Sequence, residues 1–330
     1  MFCTTRKAGT ALLALASCLL GAASAFTNPV RRPGGSDPFI AYPGDGYYYM
    51  MSTSWTNLEI ARSKTIEGLK TAPKKVVYRT DAPSRCCNVW APEVHYLNGS
   101  WYIYYTAGNA NNLDGQNLHV LKGGATPWDE YKYAGRLTNA WSIDGSVIRV
   151  NGWGNYLAYS CFHGVRYQST CLQKLGNDNV SLTGPISVVS QPSESWERSG
   201  TPVQEGQVAL YYGGKTYIVY SANHCWTPDY CLATLEWDGR TDPMRPGAWE
   251  KSKGCVFSKA NGHYGTGHNS FFRSPDGSQT WNVYHATSNA NGACDDSRYA
   301  MVQVLGTKPD GSPDFGTPLP FGADIAEPKR

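Results

Sequence analysis

The sequence predicts an all-β protein, and more narrowly a five-bladed β-propeller. Three observations carry this. Tyr, Trp, Val, Ile, Thr, Gly and Pro dominate the chain after its first segment, and no long stretch places apolar residues at i, i+3, i+4 and i+7 as an amphipathic helix would. One aromatic strand pattern, usually opened by glycine and closed near a small or hydroxylated residue, occurs five times. Its recurrences are nearly evenly spaced, at a length that suits one four-stranded sheet per unit, and five such sheets set radially make a propeller.

The first unit is Gly46-Tyr47-Tyr48-Tyr49-Met50-Met51-Ser52, and the second is Gly99-Ser100-Trp101-Tyr102-Ile103-Tyr104-Tyr105-Thr106. Gly154-Asn155-Tyr156-Leu157-Ala158-Tyr159-Ser160 follows, then Gly214-Lys215-Thr216-Tyr217-Ile218-Val219-Tyr220-Ser221, then Gln279-Thr280-Trp281-Asn282-Val283-Tyr284-His285. Aligned on Met51, Tyr105, Tyr159, Tyr220 and Tyr284, they are 54, 54, 61 and 64 residues apart. A β-sandwich also has short strands and turns, but it gives no reason for five similar units. Each unit carries a polar residue 12 to 16 positions before its aligned residue: Asp37, Glu93, Asp144, Glu205 and His268. That offset leaves room for one strand and a turn, which puts all five on or beside the innermost strand of their blade. Equivalent positions would bring four carboxylates and a histidine to one mouth of the central channel.

The chain begins with Arg6 and Lys7, an apolar run from Ala11 to Ala22, and Ala23-Ser24-Ala25, the form of a secretory signal with its cleavage site. The expected organisation is a signal peptide over residues 1–25 and a single propeller domain over 26–330, secreted and extracellular. A membrane anchor is not expected, because the run falls short of the roughly 20 apolar residues that span a bilayer. Formal charge falls from +3 to +1 when Arg6 and Lys7 are removed, and no basic cluster follows, so neither nucleic acid nor membrane is an expected partner. A monomer is expected. Cys86, Cys87, Cys161, Cys171, Cys225, Cys231, Cys255 and Cys294 remain, an even number that favours disulfides in an exported chain. Short separations suggest Cys161 with Cys171 and Cys225 with Cys231. Adjacent Cys86 and Cys87 do not make a zinc knuckle, and no H-E-x-x-H occurs. Sequons stand at Asn98 and Asn179.

Carboxylates converging in an aromatic, weakly charged surrounding suit glycosidic cleavage, in which one group protonates a leaving oxygen and another activates water or attacks. Taken singly, Asp37 before Pro38 and Asp144 before Gly145 are also ordinary turn residues, and Glu205 could pair with a base. Spacing alone assigns no roles. Other chemistries find little: there is no G-x-S-x-G elbow, and Gly214-Lys215-Thr216 lacks the first glycine of a P-loop, Ala209 standing in its place.

Taken together, Ser36-Asp37-Pro38-Phe39, Trp90-Ala91-Pro92-Glu93-Val94, Ile143-Asp144-Gly145-Ser146, Glu205-Gly206 and Gly267-His268-Asn269-Ser270 resemble glycoside hydrolase family 43. The resemblance runs from about Asp37 to Pro318. It implies an inverting hydrolase in which Asp37 matches the general base, Glu205 the general acid and Asp144 a third carboxylate that orients the acid. A nearby anion disfavours ionisation and keeps the acid's proton available. His268 matches a histidine deep in the channel, where water or a calcium ion is held in some members; the alternative is a buried histidine satisfied by its neighbours. The chemistry requires no cofactor. Arg298 matches the first arginine of an Arg-x-x-Arg-x-Gln pattern and is expected to contact the carboxylates or the sugar, with Met301 replacing the second arginine and Gln303 closing the pattern. Phe39, Trp55, Trp90 and Trp226 are candidate sugar contacts, against the alternative of packing between blades. Glu93 is expected to fix its blade through a countercharge or hydrogen bond. Gln207 departs from the Glu-Gly-Pro common in the family.

Within that family the chain resembles most the exo-acting α-L-arabinofuranosidases, which implies release of terminal arabinofuranosyl units from plant cell-wall arabinan or arabino-oligosaccharides. Arabinoxylan debranching, endo-arabinanase and β-xylosidase activities are the neighbouring alternatives. A non-catalytic sugar-binding propeller is the alternative from another class, and three intact carboxylates speak against it.

Overall fold

A computed structural model describes residues 25–330, so the expected signal segment lies, but for Ala25, outside the described residues. Five antiparallel sheets follow one another along the chain. The first blade comprises Phe39–Ala41, Tyr48–Met51, Leu58–Ser63 and Lys74–Tyr78. Cys87–Leu97, Ser100–Gly108, Asn117–Lys122 and Lys132–Arg136 form the second. The third is Ser142–Val150, Gly154–Cys161, Ser169–Leu175 and Leu182–Ser190, and the fourth Gln204–Tyr212, Lys215–Ala222, Cys231–Trp237 and Trp249–Lys251. Only three strands make the fifth: Tyr264–Arg273, Thr280–Thr287 and Tyr299–Val304.

The fourth position of that blade is taken by the N-terminal segment. Val30 donates to Ala300 O (2.9 Å), Ala300 donates to Arg31 O (2.9 Å), and the Asn28 side chain bonds both backbone groups of Val302. Residues from the two ends of the fold thus complete one sheet, and Phe26 pairs with Ile325 beside it. The open edge of the ring is covered, which removes an exposed ladder.

Aromatic strands that read as unbroken apolar runs are explained by burial on both faces. Tyr48 and Met50 enter the cluster between the first and fifth blades, while Tyr49 and Met51 enter the cluster between the first and second. Tyr217 and Val219 likewise face the fifth blade, and Ile218 and Tyr220 the third. Side chains that alternate along a strand therefore feed two neighbouring junctions, and five clusters, one per junction, hold the ring together.

Four disulfides join Cys86 to Cys87, Cys161 to Cys171, Cys225 to Cys294 and Cys231 to Cys255. The first short separation pairs as expected. Cys225 and Cys231 do not, because Cys231 opens a buried strand while Cys225 stays in the loop before it and meets a loop of the fifth blade. Among the described residues no helix is long and apolar enough to cross a membrane.

Candidate active site

The innermost strands share one irregularity. Their ladders break between Trp90 and Glu93, Ile143 and Ser146, Glu205 and Val208, and Gly267 and Ser270. At each break one residue has a left-handed backbone: Ala91 (φ 47°), Asp144 (61°), Gly206 (61°) and His268 (41°), and Asp37 (52°) holds the corresponding place two residues before Phe39. Such bulges leave a residue outside the ladder and re-aim the side chains beside it. Left-handed non-glycine residues are strained and gather at functional sites, and Asp and His tolerate the conformation better than most.

The N–H freed at each bulge is taken up by the preceding blade. Ala91 donates to Thr53 Oγ1 (2.9 Å), Asp144 to Thr106 Oγ1 (3.0 Å), His268 to Ser221 Oγ (2.7 Å) and Gly206 to Asp144 Oδ2 (3.0 Å), while the N–H of Asp37 faces His285 Nδ1 at 3.1 Å. Hydroxylated residues at the ends of the aromatic strands thus have a specific task. They satisfy buried backbone donors that the sheet cannot.

This register corrects the expected equivalence of the five polar residues. Asp37, Asp144 and His268 share one position, but Glu205 lies one residue before it and Glu93 two after. Glu93 accordingly falls outside the carboxylate pocket and bonds His95 Nε2 at 2.7 Å within its own strand, in keeping with a blade-fixing role. Phe39 is also displaced. Two residues past the bulge, its ring packs 5.3 Å from that of His95, among Tyr49 and Met51, and it lines a different pocket that Phe271 and Tyr211 also border. It is not brought to the carboxylates.

Asp37, Asp144, Glu205, His268, Arg298, Trp55 and Trp90 do line one pocket, together with Trp226, which is 52% exposed at its rim. Asp37 is surrounded by cations and donors: His268 Nδ1 at 3.2 Å, Arg298 Nη1 at 3.6 Å and the Thr53 hydroxyl at 2.5 Å, with the His285 ring beside them at 3.3 Å. Burial alone would raise its carboxyl, but His268, Arg298 and His285 together outweigh that and hold it well below the usual carboxylate range. Burial depresses His285 to about 3, assisted by Arg298, so this ring is neutral. His268 is pushed the other way: burial disfavours its charge, yet the surrounding Asp37, Asp144, Glu205 and Glu93 raise it.

Asp144 differs. Burial, then the charges of Glu205 and Asp37, push Asp144 up to about 7 against the pull of His268 and the Gly206 N–H. Glu205 accepts a hydrogen bond on each oxygen, from Tyr230 Oη to Oε1 (2.9 Å) and from Gln168 Nε2 to Oε2 (2.9 Å). Burial and the charge of Glu205 keep the Tyr230 hydroxyl protonated, so it remains a donor. Its ring stacks on His285 at 5.6 Å, and a Cβ on Gly267 would run into it. Beneath Glu205, Gln204 is anchored by Glu197, a buried carboxylate paired with Lys251 at 2.7 Å. Gln207 reaches Thr170 Oγ1 at 3.1 Å, a bond that the family's proline could not make.

Tyr230, Gln168, His285 and Trp141 border the site without having been singled out for it. His285 carried a signal, since the other four strands end in Ser or Thr at that point. Gln168 carried none: it sits on a loop whose bridge to Val203 is tertiary. Of the expected contacts, Trp55 gives its indole N–H to Asp296 and meets Trp90 edge-on at 6.2 Å. Gln303 bonds Phe315 O and Thr317 O, away from the pocket, and Met301 is buried in a junction. Among the described residues no three His, Cys, Asp or Glu side chains are grouped to hold a metal ion, and His268 turns Nδ1 to Asp37; this is not the oxygen-rich cage calcium takes.

Comparison with known proteins agrees with this architecture. The family model "Glycosyl hydrolases family 43" matches residues 26–313. The extracellular exo-α-(1→5)-L-arabinofuranosidase of Streptomyces avermitilis is 33% identical over 313 residues, covering 90% of this chain and 64% of that protein. α-L-Arabinofuranosidase 43 of Humicola insolens is 34% identical over 307 residues, covering 87% and 62%. The chain therefore spans somewhat under two thirds of the length of these curated relatives. A crystal structure of α-L-arabinofuranosidase from Lactobacillus brevis superposes with a TM-score of 0.84 at 25% identity, covering 90% of this chain and 98% of that one.

Proposed function

The chain belongs to glycosyl hydrolases family 43, and from that premise we propose that it is a secreted, exo-acting α-L-arabinofuranosidase that inverts the anomeric centre. The observation that carries the reading is the division of one pocket into two electrostatic halves. Asp37 is held ionised by His268 and Arg298, whereas burial and the charges of Glu205 and Asp37 push Asp144 up to about 7. An ionised Asp37 suits a base, and Glu205, held on both oxygens by Tyr230 and Gln168, is the carboxyl positioned to act as the acid.

Asp37 takes a proton from water, whose oxygen attacks the anomeric carbon from the face opposite the leaving group. Glu205 gives its proton to the glycosidic oxygen as the carbon–oxygen bond breaks. Tyr230 and Gln168 hold the acid in place, and Asp144 orients it through Gly206. The cycle closes when Asp37 releases its proton to solvent and Glu205 takes one up from solvent, so that protons and charge balance over a turnover. No step uses a metal.

Arabinan as substrate is supported by the names of the relatives. A pocket of about 360 Å³, small among ligand sites, suits a terminal sugar better than an uninterrupted backbone. Four disulfides among the described residues fit an oxidising compartment. The reading is tested by digesting linear 1,5-linked arabinan: single arabinose units should appear from the outset. Early dimers and trimers would replace exo with endo action.

A further inference from the structure

A second pocket lies beside the third blade, separated from the first by Trp141, which lines both. Phe162, 45% exposed, stands against this indole with ring centroids 4.8 Å apart. Neither ring is loose. Trp141 donates its N–H to Leu113 O at 3.0 Å, and Phe162 follows Cys161, which is bridged to Cys171. The pocket holds about 670 Å³ and no Asp, Glu, Lys or Arg lines it. Asn139 and His163 supply amide and imidazole groups instead, while the Gln173 amide is engaged by Gly184 O and Tyr159 Oη.

Held aromatic faces with neutral hydrogen-bonding groups and no charge are what an uncharged glycan can use, its C–H faces on the rings and its hydroxyls on those polar groups. Direction follows from the acid. The leaving oxygen must sit at Glu205, whose Oε2 is held by Gln168 from a loop of the third blade. The departing chain therefore starts beside that blade. We infer that the polysaccharide beyond the cleaved sugar runs over Trp141 into this pocket, with Trp141 and Phe162 as its aromatic wall.

The inference rests on the arabinofuranosidase reading for its substrate but can fail separately. Phe162 is exposed, so Phe162→Ala should fold, which a thermal melt would verify. Values of kcat/KM would be measured on an aryl arabinofuranoside and on linear arabino-oligosaccharides of two to six units. On the hexamer, relative to the aryl glycoside, the variant should lose roughly 2- to 10-fold, carried by KM, the loss expected from one aromatic contact. Equal losses on both substrates, or none on either, would overturn the inference. If the parent protein cleaves none of them, the functional reading falls first. Calorimetry with arabino- and xylohexaose then decides the pocket: weaker binding to Phe162→Ala than to the parent upholds it, and equal or undetectable binding to both refutes it.

Discussion

The backbone N–H of Gly206 donates to Oδ2 of Asp144 across 3.0 Å, tying the residue after Glu205 to a carboxylate of the neighbouring blade. The bond explains how Asp144 can govern the acid by geometry. The turn favours glycine, because position 206 has φ +61° and a Cβ there would lie 3.0 Å from the His268 ring.

Gly206→Ala should therefore cost about 1–3 kcal/mol of stability, the range for a left-handed non-glycine residue. Denaturant unfolding would read the loss. The same variant should lower kcat, since displacing this turn moves Glu205.

Asp144→Asn should change the pH dependence of stability. Asp144 keeps its proton to about pH 7 in the folded chain, against an ordinary value of 3.8, so its favourable contribution is complete below about pH 4 and lost as pH rises through about 7. The groups facing it are His268, Glu205, Asp37 and the Gly206 N–H. Thermal melts should show the variant gaining on the parent as pH rises from about 4 to above 7. A constant difference across that window would contradict the assignment.

Glu205→Ala should reduce hydrolysis of arabinan by roughly 10²–10⁴-fold, the usual contribution of general acid catalysis, and an activated aryl arabinofuranoside should suffer less. Asp37→Ala removes the group that activates water, a need common to both substrates, and its loss should be severe on each. If the leaving-group dependence appears in Asp37→Ala instead, the two roles are reversed.

Tyr230→Phe removes one of the two donors on Glu205 while keeping the ring against His285. Hydrogen bonds to charged groups contribute about 1.5–3 kcal/mol, so kcat should fall on the order of 10- to 100-fold with KM little changed. A rise in KM at constant kcat would place Tyr230 in substrate binding instead.

How far the sequence carried this account depends on what each feature is made of. The blades were legible because every aromatic strand is buried on both faces, which leaves an apolar run wherever one occurs, as in Tyr48–Met51. Asp37, Asp144 and Glu205 were legible as a set through repeat spacing and through the motifs they stand in. The bulge was not: Glu205 stands one position before its left-handed residue and Glu93 two after, and nothing in the residue types announces where the bulge falls. It also sends Phe39 away from the carboxylates. Tertiary pairings were equally hidden: Cys225 with Cys294 spans 69 residues, and Gln168 reaches Glu205 from a loop. The N-terminal closure through Asn28 and Val30 depends on partners some 270 residues away and has no local signature.

The most direct test of the central claim, that Asp37 directs water to the anomeric carbon while Glu205 protonates the departing oxygen, is time-resolved NMR of the sugar first released from an α-L-arabinofuranoside. Displacement by water in one step inverts the centre. The account predicts that the β-anomer appears first and the α-anomer only later, by mutarotation. Initial appearance of the α-anomer would contradict it, because retention requires a covalent intermediate and a nucleophile where Asp37 is assigned as base.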